Sequence, residues 1–373
     1  MGAETIVAVI LAAGRSSRMG DFKPLLPFGG RSLIAQVAAA FREARVAQIH
    51  VVAGFRAEAL APELARLGLI EIRNDAFDRG MFSSVQAAVA ALPASAAACL
   101  LAPVDAPLLR VSTIERIVAA AAKSDAAVIY PNYRGVRGHP PLIRRALFAE
   151  ILAGEGVGGL QALLARHQHA ALDVDVFDIG CLVDIDTPED YRRCLVEFVR
   201  HHLPNDEECE AMLAAASAPE PVRRHCRAVA ALATNLSRRL RDAGEPLDTD
   251  FVRAAAWLHD IAKGAPHHAE AGAMLVSGFG FPELAPAVAR HMQAPEDATR
   301  LDEGSIVYLA DKLVQGERAV SLEARFGPAL ARFADDREAL AGARRRFAGA
   351  LALRAAIEAR IGGLYPVLSG AAP

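Results

Sequence analysis

Short apolar runs alternate with amphipathic stretches over roughly the first 200 residues, and then the alternation stops. The runs lie at Ile6–Ile10, Ile49–Ala53, Ala98–Val104 and Ala126–Tyr130, with helical periodicity between them over 32–44, 84–92 and 112–122. Near-continuous apolar strands joined through helices imply a mostly parallel sheet covered on both faces, because such strands are buried on both sides. The expected fold is therefore a doubly wound α/β unit of Rossmann-like type over 1–200. Ligands in such sheets sit at the carboxyl ends of strands. Prolines, acids and small residues cluster over 201–220, which reads as a linker with room for one short helix. Helical periodicity then dominates at 222–240, 249–263, 267–279, 283–291 and 304–318, with no convincing strand and with Thr249 or Asp250 as an N-cap. The expected second domain, 221–325, is all-α. An Ala/Arg-rich extension at 326–373 reads as a helical hairpin or long helix.

The 373 residues exceed one ordinary core and suit two domains. A net charge of −3 supplies no global field for nucleic acid, so any basic site is local and no nucleic-acid partner is expected. The five cysteines, Cys99, Cys181, Cys194, Cys209 and Cys226, form no CxxC pair, so a reducing cytoplasmic setting is expected. The apolar start runs straight into a polar loop and reads as a strand rather than a signal peptide. No apolar run approaches the ~20 residues of a membrane span, so no membrane is expected as a partner.

Directly behind the first apolar run stands LAAGRSSRMGDFKPLLP, from Leu11 to Pro27. A loop of small residues bearing Arg15, Arg18 and Lys23 at the end of a first strand offers backbone N–H groups and cations to phosphate oxygens, as a nucleoside triphosphate requires. No GxxxxGK[ST] is present and no GxGxxG follows the strand, which disfavours a P-loop and a dinucleotide fold. The loop, with NDAFDRGMFSS at 74–84, PVDAPLL at 103–109, RGHPPLI at 137–143 and DIDTPEDY at 184–191, resembles in order the signature of MobA-like nucleotidyltransferases, and among them the molybdopterin cytidylyltransferases. The resemblance implies transfer of CMP from CTP to a molybdopterin-type molybdenum cofactor with release of pyrophosphate, and a molybdoenzyme as receiver of the product. It implies that Arg15, Arg18 and Lys23 hold the triphosphate and that Asp105 holds Mg²⁺, with Asp184 or, preferably, Asp186 as a second contact. Leu11, Ala12, Ala13 and Gly14 would approach base and ribose by backbone. Asn74, Gly80, Met81, Ser83 and Ser84 would line the opposite rim, and Gly138, His139 and Pro140 the acceptor. Ala13, where the guanine-transferring branch shows a second glycine, and GMFSS point to CTP. PVDAP around Asp105 and GEGVGG at 154–159 depart from the family pattern near the acceptor. Asp184, Asp186 and Asp190 are also candidates to cap the helix that starts near Thr187.

The second half carries His225, His259-Asp260, His268, His291 and Asp311. Neighbours on a helix point ~100° apart, so His259 and Asp260, expected mid-helix, can serve one metal only from a bundle interior. The order H…HD…D resembles the HD superfamily of metal-dependent phosphohydrolases. AAWLHDIAK, HAEAGA at 268–273, RHMQ at 290–293 and YLADKLVQGER at 308–318 resemble its dinuclear branch, in which His268 and His291 would hold a second metal and Asp260 would bridge. Imidazole with carboxylate suits one or two transition metals such as Fe, Mn or Zn. Lys263, Lys312 and Arg318 are candidate phosphate contacts, whereas His201 and His202 read as solvated linker residues. The chain is thus expected to be bifunctional. A sugar phosphate or other phosphorylated acceptor, GTP in place of CTP, and an HD region that only senses nucleotide or metal remain as alternatives.

Overall fold

The computed structural model describes residues 5–364. The chain divides into two compact units, Met1–His201 and His202–Pro373. In the first, seven strands form one sheet: β1 (Thr5–Leu11), β2 (Ile49–Ala53), β3 (Ile70–Arg73), β4 (Ala96–Pro103), β5 (Val128–Tyr133), β6 (Leu142–Arg144) and β7 (Ala171–Asp175). Their order is β7-β5-β6-β4-β1-β2-β3, and a short arm at Val136–Arg137 pairs with β5. All neighbours run parallel except β6, which is antiparallel to both β4 and β5, as is the short arm to β5. The sheet is therefore mostly parallel, as the alternation of runs implied. Val7, Ala8, Val9 and Ile10 of β1 have no exposed surface, which is why that strand reads as an unbroken apolar run.

Helices α1 (Leu33–Glu43), α2 (Ala57–Leu67), α3 (Met81–Ala91), α4 (Val111–Ala121), α5 (Phe148–Ala153), α6 (Gly159–Ala165) and α7 (Pro188–Phe198) accompany the sheet. Ser32 caps α1 by accepting from Ala35 N. At α7 the cap is Thr187, which exchanges hydrogen bonds with Asp190 in a capping box; of the three aspartates considered for that helix end, Asp190 is the one engaged. The chain turns from β1 to β2 on one side and to β4 on the other, so the crevice between the carboxyl ends of β1 and β4 is the switch point of the sheet.

The second unit contains α8 (Asp206–Ala215), α9 (Glu220–Asp242), α10 (Thr249–Leu258), α11 (His268–Gly278), α12 (Ala285–Arg290), α13 (Glu303–Lys312), α14 (Leu322–Arg332) and α15 (Arg337–Ile361). The central helices α9, α10 and α13 pack on one another, and α11 on α12. Gly272 permits that packing, since a Cβ there would lie 3.2 Å from both Ile261 and Val288. The stretch at 326–361 is a helical hairpin, α14 and α15.

Four expectations need correction. α10 ends at Leu258, so His259 is its C-cap and Asp260 lies in the following turn rather than mid-helix. The N-cap is Asp248, not Thr249 or Asp250, because its carboxylate reaches the N–H groups of Asp250 and Phe251. The second half contains strands after all: Val314–Gln315 pairs with Arg318–Ala319 around Gly316, whose φ of 60° suits a glycine. Two-residue arms are too short to register as a period. His201 is partly buried, with its ring against the Leu108 carbonyl, rather than solvated. No described helix is long and apolar enough to cross a membrane.

Candidate functional site

The first site grows from the end of β1. Ala12 N donates to Val52 O (2.9 Å), Phe55 N to Ala13 O (3.1 Å) and Val104 N to Leu11 O (3.1 Å), so the loop leaves the sheet pinned on both sides. Met19 and Phe28 anchor it among Leu33, Leu108, Ile185 and Cys194. The opposite wall is positioned by Asp178, a 1% exposed carboxylate that accepts from Arg110 N, Thr113 Oγ1 and Gly180 N. Gly180 packs so closely that a Cβ would meet Leu108 O at 1.9 Å. Ile185 N then donates to Asp105 O (2.9 Å), which sets the 184–186 segment beside Asp105.

The result is an open cleft of about 370 Å³, lined by Leu11, Ala12, Ala13, Gly14, Arg18, Lys23, Asp105 and Asp186, with Gly80, Met81 and Ser84 among the residues across it. Lys23, 7% exposed, places Nζ 2.9 Å from Asp105 Oδ2 and 3.3 Å from Asp186 Oδ1. Arg18 donates from Nη2 to the same Asp186 oxygen at 3.0 Å. Partial burial, then repulsion from Asp105 and Asp186, pushes the Asp184 carboxyl up to about 6. Two carboxylates thus converge on the Lys23 ammonium at the floor of the cleft, and carboxylate oxygens are the hard donors that suit a cation such as Mg²⁺.

Not every expected residue faces this space. Arg15 turns to the opposite rim, where Nε and Nη2 donate to Asp78 Oδ1 and Oδ2 at 2.9 and 3.0 Å. Its guanidinium also lies 5.4 and 5.5 Å from the rings of Phe55 and Phe77. Asp78 holds Arg15 above its usual range, and Arg15 holds Asp78 below its own. Asn74 is 4% exposed and donates to Ser83 Oγ and Ser84 Oγ, both at 3.0 Å, so it braces the rim. Gly138, His139 and Pro140 lie outside the lining of the cleft; His139 N donates to Cys181 O at 2.8 Å, and a Cβ on Gly138 would meet that oxygen at 2.5 Å. Burial lowers the His139 imidazole while Asp105 pulls it upward, so this segment feels the Asp105 charge.

The second site is buried between helices. Asp260 sits at its centre, 2% exposed, with Oδ1 3.4 Å from both His268 Nε2 and His291 Nε2, and Oδ2 3.6 Å from His259 Nε2. Asp311 Oδ1 lies 3.2 Å from His225 Nε2 and 3.7 Å from His259 Nε2. Two metal-capable triads result, His225–His259–Asp260 and Asp260–His268–His291, sharing Asp260. The Nδ1 atoms of His259, His291 and His225 face the carbonyls of Ala256 (2.7 Å), Val288 (2.7 Å) and Gly316 (3.0 Å). A proton on Nδ1 in each leaves Nε2 as an inward lone pair, the arrangement metal-binding histidines use. Among the described residues, the Nε2 atoms of His259, His268 and His291 are buried without a hydrogen-bond partner, a costly state that an ion would relieve. Burial, with help from Lys263 and the neighbouring histidines, keeps His268 below the ordinary imidazole range against the pull of Asp260.

Lys263 Nζ lies 2.9 Å from Asp260 Oδ2, with its side chain 44% exposed. Lys312 is only 5% exposed and its Nζ is bound to Asp311 Oδ2. Arg318 lies on the exposed hairpin arm. Asp78 went unassigned in the sequence although it stands inside NDAFDRG; its partner is 63 residues away and no local spacing links them. The three orienting carbonyls have no side-chain signal at all.

These sites define a nucleotidyltransferase fold followed by a helical metal-site domain. The chain belongs to the MobA-like NTP transferase family: residues 8–171 match the MobA-like NTP transferase domain, and residues 222–315 match the HD domain. It is 30% identical to the molybdenum cofactor cytidylyltransferase of Escherichia coli (strain K12) over 188 residues, 50% of this chain and 93% of that protein. It is 32% identical to the molybdenum cofactor guanylyltransferase of Xanthomonas euvesicatoria pv. vesicatoria (strain 85-10) over 51% of this chain and 94% of that one. Among solved structures, a nucleotidyl transferase from Methanothermobacter thermautotroptrophicus is similar at 28% identity and a TM-score of 0.47, over 53% of this chain and 99% of the other.

Proposed function

We propose that the first unit transfers CMP from CTP to a molybdopterin-type cofactor, and that the second hydrolyses a phosphate ester or anhydride at a dinuclear centre. The observation that carries the first reading is the position of Lys23 Nζ between Asp105 and Asp186 at the floor of a cleft walled by the backbone of Leu11–Gly14. An oxygen of the acceptor's phosphate attacks the α-phosphorus of CTP, the bond to the β-phosphate oxygen breaks, and pyrophosphate leaves. Charge accumulates on the phosphates, so the work of the protein is positioning and compensation. Asp105 and Asp186 would hold Mg²⁺, which supplies positive charge against the phosphate oxygens when bound. Lys23, nearly buried, keeps a cation beside the leaving group. Arg18, 71% exposed and paired with Asp186, would exchange that partner for the β- and γ-phosphates. The Asn74–Ser83–Ser84 brace keeps the far rim in place, and Gly138–Pro140 borders the acceptor.

Relatives of both base preferences are about equally identical to this chain, so the choice of CTP rests on Ala13 and the GMFSS segment at 80–84. Pyrophosphate release by the full-length protein with Mg²⁺ and molybdenum cofactor, CTP against GTP, tests it. A GTP preference replaces the base. No release with either moves the acceptor to another phosphorylated compound. A finished cofactor would pass to a molybdoenzyme, and five buried free thiols fit a reducing, cytoplasmic setting.

For the second unit the supporting observation is the convergence of orphaned Nε2 atoms on two triads that share Asp260. The donor set fits Fe, Mn or Zn. When bound by His225, His259, Asp260, His268, His291 and Asp311, such ions would supply positive charge against the phosphate and activate water for attack on it. Lys263, exposed at the mouth, is placed to meet an incoming phosphate. Turnover of nucleotides and generic phosphodiesters separates a hydrolase from a sensor: a domain that binds metal and turns over none of them is regulatory.

A further inference from the structure

Each aspartate of the buried centre carries a lysine, and the two lysines are not equivalent. Lys263 approaches both oxygens of Asp260, at 3.2 Å from Oδ1 and 2.9 Å from Oδ2, from a side chain that is 44% exposed. It can leave for solvent or a phosphate and free both oxygens for bridging. Lys312 touches only Oδ2 of Asp311. It is fixed: 5% exposed, with Nζ 5.1 Å from the Tyr308 ring centroid and 3.9 Å from Met292 Sδ. A buried ammonium deprived of its carboxylate would be left uncompensated, so the pair holds together. Asp311 Oδ1, by contrast, faces His225 and His259.

We propose that Lys312 is a positioning residue that makes Asp311 a one-oxygen ligand for the ion on the His225–His259 side, and that the centre is therefore asymmetric by construction. The inference rests on reading this site as a dinuclear metal centre. Lys312 cannot reach a phosphate without breaking a buried ion pair, so the sequence-based suggestion that it binds one is replaced. Loss of an orienting partner of a metal ligand typically costs about 10–100-fold in affinity, and here the loss should fall on one ion only, because Lys312 contacts neither Asp260, His268 nor His291 among the described interactions.

The test is titration of metal-free full-length protein with Mn²⁺ alone, free Mn²⁺ being followed by electron paramagnetic resonance. In an Asp105→Ala background, which removes the cation site proposed for the transferase cleft, the protein should bind two ions. Lys312→Met should weaken one of them about 10–100-fold and leave the other as it was. In a His268→Ala background, which disables the second triad, the remaining ion should carry the whole Lys312→Met effect. Lys312→Gln, which keeps one donor, should fall between, and it carries the measurement if Lys312→Met does not fold. Equal weakening of both ions, or no weakening in a folded variant, overturns the positioning role while leaving the metal centre intact. Asp105→Ala protein that takes up no Mn²⁺ removes the metal reading of the buried centre, and this inference with it.

Discussion

The two sites place similar charges in opposite settings. Around the transferase cleft the outer pairs are open, even though Lys23 at the floor is nearly buried: Arg15 and Asp78 are 58% and 62% exposed, and Arg18 and its partner Asp186 71% and 40%. In the metal centre His259 and His291 have no exposed side-chain surface, and Asp260 and Asp311 only 3% and 6%. Exposed pairs are worth about 0–1 kcal/mol and exchange partners readily. Buried ones are fixed, and their unfilled valences are the signal. On the proposed reading, the first site would trade internal ion pairs for a polyanion that arrives from solvent, and the second would be completed by cations.

The largest effect should follow from breaking the buried side. His259→Ala or Asp260→Ala removes a member of the first triad, and Asp260 belongs to both. Both variants should lose bound metal, Asp260→Ala all of it, as read by elemental analysis. Full retention in both would contradict the ligand assignment. On the open side, Asp105→Ala should reduce pyrophosphate release by at least about 10²-fold, the scale of deleting one group that stabilises transition-state charge. A variant that keeps the parent rate would remove Asp105 from the metal role. The fold itself should survive, because Asp105 is 20% exposed and its backbone carbonyl, not its carboxylate, holds Ile185.

How far the sequence exposed these two regions follows the same division. The parallel sheet was legible because β1, β2 and β4 are buried on both faces and read as apolar runs. β3 was not, since Ile70, Glu71 and Arg73 of its four residues are exposed and its period is masked. The antiparallel β6 has three residues, too few for any pattern. In the second unit the helices were legible but the end of α10 was not, because Ile261 continues the apolar period past the last helical turn. The metal-capable side chains were marked by residue type. The cleft partner of Arg15 was not, since a carboxylate 63 positions away acquires meaning only when the loop and the turn before α3 face each other.

A smaller effect sharpens the comparison. If the Arg15–Asp78 pair is a resting partner that a triphosphate displaces, Asp78→Asn frees Arg15 and lowers the KM for nucleotide. An exposed pair worth up to about 1 kcal/mol limits the change to about fivefold. The change should shrink as salt is raised, because the pair is screened. A KM that rises instead assigns Asp78 to holding Arg15 in its working position.

The smallest effect concerns Asp184, whose carboxyl is pushed up to about 6 by partial burial and by Asp105 and Asp186. Between about pH 4 and 6 the folded protein then binds more protons at this residue than the unfolded chain does, so stability falls as pH rises through that window. Asp184→Asn removes the charge and with it this part of the decline, so the variant should gain on the parent at pH 7 more than at pH 4. Solvent screens a side chain this exposed, so the gain lies well below the full linkage value. Melting curves of metal-free protein at the two pH values check it. Equal differences at both would mean that Lys23, rather than mutual repulsion, governs the carboxylates at the floor of the cleft. Added Mg²⁺ gives the control: a cation between Asp105 and Asp186 offsets the repulsion, and the advantage of the variant should narrow.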